Sequence, residues 1–185
     1  TGKKNKTLGL FIVEIKENHT ENIVLPSTWF TGILSAVVNY ASNLDYNILV
    51  TLITDKKKLK KAKDMFVNKT ICGGIFIGVE TSVPEIDELD KLGYKIALLE
   101  QKKPENTERN NSIFVNSDNM AGAYEATKYL IQNGHRKIIH LAGNTKKAPT
   151  SDRINGYKKA LKDFNIPYDK NYLIKGDFQQ TVSYD

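Results

Sequence analysis

The sequence holds one cysteine, Cys72, and only three histidines, His19, His135 and His140, in 185 residues. A lone cysteine excludes the disulfide-stapled class of small secreted domains and makes a reducing compartment the default. The histidines have no metal-ligand spacing with one another or with Cys72, so no metal centre is expected. No apolar run is long enough to cross a bilayer. The basic start, TGKKNKTLGL, is not followed by an apolar stretch ending at a small-residue cleavage site. No GxGxxG or GxxxxGK[ST] loop follows a strand, no GxSxG elbow occurs, and nothing pairs a nucleophile with a base. The expectation is a soluble, cytoplasmic protein with no membrane partner and no cofactor, and not an enzyme.

What is present suits an ordinary globular chain. Hydrophobic residues make up 40% and charged residues 26%, enough for a core and too apolar for disorder. The net charge is +6. That could mark nucleic-acid binding, or a solvated surface from a Lys- and Asn-rich composition. The densest run, DKKKLKKAK at 55–63, favours the second reading. Leu59, Ala62 and Phe66 keep an apolar stripe at helical spacing while lysines fill the other face. No aromatic residue interleaves with them to stack on bases. Asn-x-Ser/Thr triplets such as Asn18-His19-Thr20 are expected by chance in a chain this rich in Asn.

Along the chain, short apolar runs alternate with helical periodicities. Strands are expected at 7–15, 47–54, 73–78, 95–100 and 112–115. Helices are expected at 29–44, capped by Ser27 or Thr28, at 59–69, and at 83–93, with Gly93 as a stop. After the polar loop near 101–111 come a helix at 119–134, capped by Asp118 or Asn119 and ended at Gly134, a strand KIIHLAG, a helix from Ser151 and a strand YLIKGDF at 172–178. Strand–helix alternation with continuous apolar strands reads as an α/β fold with parallel sheets covered on both faces. The second set of strands is short, and a sheet so small leaves an edge and a face uncovered. The C-terminal part therefore reads as unfinished.

In open parallel α/β sheets, ligands bind beyond the carboxyl ends of the strands. Arg153 falls in the first turn of an expected helix, where a cation opposes the helix dipole at roughly 0.3–1 kcal/mol. Its planar fork suits hydroxyl and carboxylate groups. Alternatively Asp152 neutralises it at the surface. Trp29 and Phe30 open a helix after the first strand; they offer ring faces for stacking, or are core aromatics, Phe30 especially. Glu100 ends a strand and could accept from ligand hydroxyls, or be solvated. Lys147 sits in a loop and could face a ligand, or be an ordinary surface lysine. His140 reads as a satisfied interior residue.

The stretch SDNMAGAYEATKYLIQNGHRKIIHLAG at 117–143 resembles the LacI/GalR family of bacterial transcriptional repressors, whose pattern is D-N-x-x-(G/A)-(G/A)-x-x-A-T-x-x-L-I-x-x-G-H-R-x-I, then a strand and a Gly. Asp118-Asn119 would cap the helix, Gly122 and Ala123 would permit close helix–sheet contact, and Ile138 and Ile139 would begin the next strand. Arg153-Ile154-Asn155-Gly156-Tyr157 is similar to the family's R-x-x-G-(Y/F/W) element. Gly156 inside a helix costs about 1 kcal/mol against Ala, which implies a packing reason.

The resemblance implies a fold like the type I periplasmic binding proteins: two Rossmann-like parallel-sheet subdomains, 1–117 and an incomplete 118–185, with a small-molecule effector, a sugar, in the cleft. It implies effector contacts at Trp29, Phe30, Glu100, Lys147 and Arg153, and a homodimer in the full-length protein. Operator DNA would be read only through an N-terminal helix-turn-helix that the 185 residues do not match. The loop at 16–28 is longer than the family's, which loosens the match at Trp29 and Phe30. A transport protein with the same fold is the alternative; the lack of a leader and the NGHRKI element speak against it.

Overall fold

The computed structural model describes residues 5–14, 28–80, 83–102 and 111–176. Ser27 as a helix cap, the loop before it, His19, the opening basic residues and the end of the strand expected at 172–178 lie outside these.

The first five strands join one sheet. They are β1 (Thr7–Val13), β2 (Asn47–Ile53), β3 (Gly73–Ile77), β4 (Ile96–Leu99) and β5 (Ser112–Val115), in the order β2-β1-β3-β4-β5. The β1–β2, β1–β3 and β3–β4 pairs are parallel. Three helices connect them: α1 (Thr28–Asn43), α2 (Lys56–Val67) and α3 (Pro84–Lys91). The α/β architecture with parallel strands expected from alternation is the one observed.

Apolar residues on both faces of β1 explain why the sheet is covered twice. Leu10 packs with Phe30 of α1 and Ile77, whereas Phe11 packs with Phe66 of α2 and Phe76. The Phe11 and Phe76 rings stack 4.7 Å apart at 22°, and Phe66 lies 6.5 Å from Phe76 at 10°. Such ring pairs add about 0.5–1.5 kcal/mol beyond their burial. Gly74 leaves them room: a Cβ there would stand 2.6 Å from Phe66 Cζ. On α2, Asp55 caps the helix by accepting from Lys58 N at 2.8 Å, and Leu59, Ala62 and Phe66 are buried. Lys56, Lys57, Lys60 and Lys61 are exposed, so the lysine run is the wet side of a surface helix. It begins three residues earlier than its apolar stripe suggested, because Asp55 sets the start.

The chain divides into two compact units, Thr1–Val79 with Val83–Leu99 and Glu105–Phe114, and Glu80–Ser82 with Glu100–Pro104 and Val115–Asp185. The second contains α4 (Asn119–Gln132), β6 (His140–Ala142), α5 (Ala148–Asp163), a 3-10 turn at Lys170–Tyr172 and β7 (Leu173–Lys175). Asp118 caps α4 by accepting from Ala121 N at 2.9 Å, and Gly134, at φ +91°, ends it.

The packing reason for Gly156 is a helix–helix crossing. A Cβ there would meet Met120 O at 2.2 Å and Tyr124 N at 2.9 Å. The close contact attributed to Gly122 and Ala123 is therefore α4 against α5, with Ala123 in it, while nothing lies within 4 Å of a Cβ at Gly122. Ile138, Ile131, Tyr157 and Leu161 form the core, and Tyr157 Oη donates to Ile138 O at 2.8 Å.

Two expectations change here. Strand β6 is three residues long, because its described partner β7 offers only Leu173 to Lys175 for pairing. Ile138 and Ile139 thus precede the strand, the first buried and the second exposed. Helix α5 begins at Ala148, with Pro149 in its opening positions. Pro is preorganised for a helix start, so the helix opens before Ser151. Arg153 then sits in the second turn, Lys147 ends the preceding loop at the cap position as a loop residue, and the dipole penalty expected for Arg153 shrinks.

Candidate ligand-binding site

In the first unit, the sheet order reverses direction at β1 and β3, where α/β sheets receive ligands beyond their carboxyl ends. Helix α1 starts after β1. Phe30 is buried beneath it against Leu10 and Ile77, so its ring is core. Trp29, one residue earlier in the first turn, is 50% exposed and presents a ring to solvent.

In the second unit, Glu100 and Arg153 are joined through Asn119. The Glu100 carboxylate accepts three hydrogen bonds: from Ser117 N at 2.9 Å and Ser117 Oγ at 2.6 Å on Oε1, and from Asn119 Nδ2 at 2.6 Å on Oε2. Asn119 Oδ1 in turn accepts from Arg153 Nε at 2.8 Å. Glu100 is held at φ +56°, in the left-handed region that side-chain-bearing residues seldom occupy. Its neighbour Lys102 pairs with Asp152 at 2.5 Å. Asp152 is thereby engaged by a lysine, so Lys102 reaches α5 directly, whereas Glu100 reaches it only through Asn119.

Gln101 is buried, with its Nε2 donating to Glu80 O at 3.0 Å. Its Oε1 and the Thr150 Oγ1 of α5 are buried without a hydrogen-bond partner. Lys147 makes no side-chain cap at the start of α5. A concavity of about 470 Å³ has Ser117, Asn119 and Arg153 at its polar end and Leu130, Ile138 and Ile139 along its apolar part. His140 also lines it, stacked on Tyr157 with centroids 5.1 Å apart. Burial, and then the Arg153 charge, hold the His140 imidazole below its ordinary pKa range, so it stays neutral near pH 7.

The structure brings Glu100 and Arg153 into one network and sets Lys147 at the start of the same helix as Arg153. It places Trp29 and Phe30 in the other unit. Sequence reasoning missed Asn119, Gln101 and Thr150. Asp118-Asn119 is a doubled cap signal, and only one residue of such a pair can cap; the other was the available clue to a side chain with a different task. No metal-ligating cluster of His, Cys, Asp or Glu occurs among the described residues. No described helix is long and apolar enough to cross a membrane.

Comparison with known proteins gives the fold a family. Residues 22–185 match the family described as periplasmic binding proteins and the sugar-binding domain of the LacI family. The transcriptional repressor PurR of Vibrio atlanticus is 32% identical over 155 residues, covering 82% of this chain and 45% of that protein. Among solved structures, the transcriptional regulator CelR in complex with cellobiose superimposes with a TM-score of 0.81 at 21% identity, over 97% of this chain and 53% of CelR. CcpA of Lactococcus lactis gives 0.74 at 26% identity, over 95% and 60%. The chain spans about half the length of the curated relatives it matches. Its parallel α/β sheet, the D-N and R-x-x-G-Y elements in place on α4 and α5, and the match over 22–185 establish that the chain belongs to the family of periplasmic binding proteins and LacI-type sugar-binding domains.

Proposed function

We propose that this chain is the effector-sensing part of a LacI-type transcriptional regulator and that its effector is a sugar, gripped in the second unit by Arg153. The observation that carries the reading is the Arg153 guanidinium anchored at Nε by the buried Asn119. Fixing one edge of a planar fork leaves its direction determined before a ligand arrives, which lowers the ordering cost of binding. Lys147 is the second donor on the same helix. On the first unit, Trp29 offers an exposed ring face for stacking, with Phe30 as the core residue that fixes its helix. Glu100 stands behind Arg153.

In the full-length protein, the effector acts by binding two states of a homodimer with different affinity, and so shifts how operator DNA is held by an N-terminal helix-turn-helix. A relative named as a transcriptional repressor and a structural neighbour named as a transcription regulator support this over a transport role. The chemistry is binding and release, with no bond made or broken.

Calorimetric titration of a panel of monosaccharides, disaccharides (cellobiose among them) and nucleobases tests the reading. The expected result is saturable binding of one sugar, weakened about tenfold to a hundredfold by Arg153→Ala, the scale of a lost charge-assisted hydrogen bond. Binding of a nucleobase with no sugar binding would overturn the sugar assignment. Unchanged affinity in Arg153→Ala would overturn the role of Arg153.

A further inference from the structure

We propose that Glu100 is a positioning residue: it sets the amide orientation of Asn119, and Asn119 sets the direction of Arg153. The effector then senses Glu100 only through the arginine. This rests on Arg153 being a ligand contact, as argued above.

The argument is one of donors and acceptors. An ionised carboxylate only accepts, a guanidinium only donates, and a side-chain amide has one oxygen that accepts and one nitrogen that donates. Asn119 lies between the first two, with its nitrogen 2.6 Å from Glu100 Oε2 and its oxygen 2.8 Å from Arg153 Nε. Only this orientation satisfies both neighbours. The residue is 8% exposed, so a turned-over amide would leave mismatched groups away from water, which is costly.

Glu100 itself is held on its other oxygen by both donors of Ser117. The three hydrogen bonds of its carboxylate therefore all come from Ser117 and Asn119, where the chain enters α4. A carboxylate held by three protein donors is fixed in place before any ligand arrives. Glu100 also takes a left-handed backbone conformation at φ +56°, a strain that persists only where the surroundings over-determine it. The polarity thus runs one way, from a carboxylate through an amide to a cation.

Reversing the polarity of the middle and the end supplies the test. Glu100→Gln keeps the size of the side chain and an oxygen for Ser117, but turns a donor toward Asn119 Nδ2. The double substitution Glu100→Gln with Asn119→Asp restores a donor–acceptor chain, because residue 119 then accepts from both neighbours. The readout is the Arg153 Nε–H signal of the uniformly 15N-labelled chain, assigned by its loss in Arg153→Lys, with its exchange rate against water. No ligand is needed, so the result separates this inference from the effector reading.

Exchange is expected to be about tenfold faster in Glu100→Gln, the scale of one hydrogen bond, and to return to within a few-fold of the parent in the double variant. Melting curves check that each variant is folded. An unchanged exchange rate in folded Glu100→Gln would overturn the proposal. If that variant does not fold, the double variant decides: a folded protein with a protected Nε–H supports the relay, and a folded protein with a rapidly exchanging one overturns it.

Discussion

The two units reach order by different means. The first builds a five-stranded sheet with apolar residues on both faces, and its larger core joins thirteen buried residues around Phe11, Phe66 and Phe76. Among the described residues, the second has a two-stranded sheet and a core cluster of Ile131, Ile138, Tyr157 and Leu161. Ile139, Leu141 and Ile174 around its short strands are 60, 52 and 46% exposed. What holds it together is the close crossing of α4 on α5 at Gly156 and the hydrogen-bonded chain from Glu100 to Arg153. The first unit relies on volume packing, the second on close backbone approach and the hydrogen-bonded chain from Glu100 to Arg153. A site that must respond to a ligand is more readily built on the second kind, since locally less stable regions are those that change state.

Three measurements would break or sharpen that comparison. The largest effect is expected from Phe76→Ala, which empties the centre of the ring stack. It should lower the stability of the first unit by about 3–5 kcal/mol, read by chemical denaturation. Amide exchange should show the loss in β1 and β3. If α4 and α5 lose protection equally, the two units do not differ in the way described.

Gly156→Ala should come next, at about 1–3 kcal/mol or more, because the added methyl meets the Met120 carbonyl oxygen and not a movable side chain. Here the loss of protection should fall on α4 and α5. A variant as stable as the parent would show that the helix crossing has slack.

The smallest effect concerns pH. His140 titrates below its ordinary value of 6.5 in the folded protein because of burial and the Arg153 charge. The unfolded chain then takes up the proton first, so stability falls as pH drops from about 6.5 toward the lower folded value. His140→Asn should flatten that part of the profile, measured by thermal melts between neutral and mildly acidic pH. A profile that keeps its slope in the variant would place the titrating group elsewhere.

Much of the fold was legible because the sequence repeats one physical signal. Apolar runs at 7–13 and 73–77 and helical stripes such as Leu59, Ala62 and Phe66 report burial directly, whereas the run at 47–53 forms a strand with Leu49 and Val50 exposed. Gly93 and Gly134 marked helix ends because both adopt positive φ. Gly156 announced a close contact, though the sequence could not say whether the partner was a sheet or a helix.

Boundaries were less legible where the deciding contact is not in the periodic pattern. Pro149 started α5 early, and the three-residue β7 kept β6 short. The site was half legible. Arg153 and Glu100 stood out by residue type, but their link through Asn119 depends on a fold-made meeting of residues 19 and 34 positions apart. Gln101 and Thr150 gave no sequence signal, because an amide and a hydroxyl are unremarkable until burial leaves one atom without a partner.

The central claim is that the ligand-gripping surface of the second unit is the corner formed by Asn119, Lys147 and Arg153. The most direct test is to titrate the tightest sugar from the panel into the 15N-labelled chain and map the backbone and arginine side-chain shifts. The account predicts that the perturbations of the second unit cluster at 117–119 and 147–153, include the Arg153 Nε–H, and need about tenfold to a hundredfold more sugar to appear at 117–119 and 147–153 in Arg153→Ala. Saturable binding whose shifts leave these residues untouched, on the lysine face of α2 for example, would contradict it.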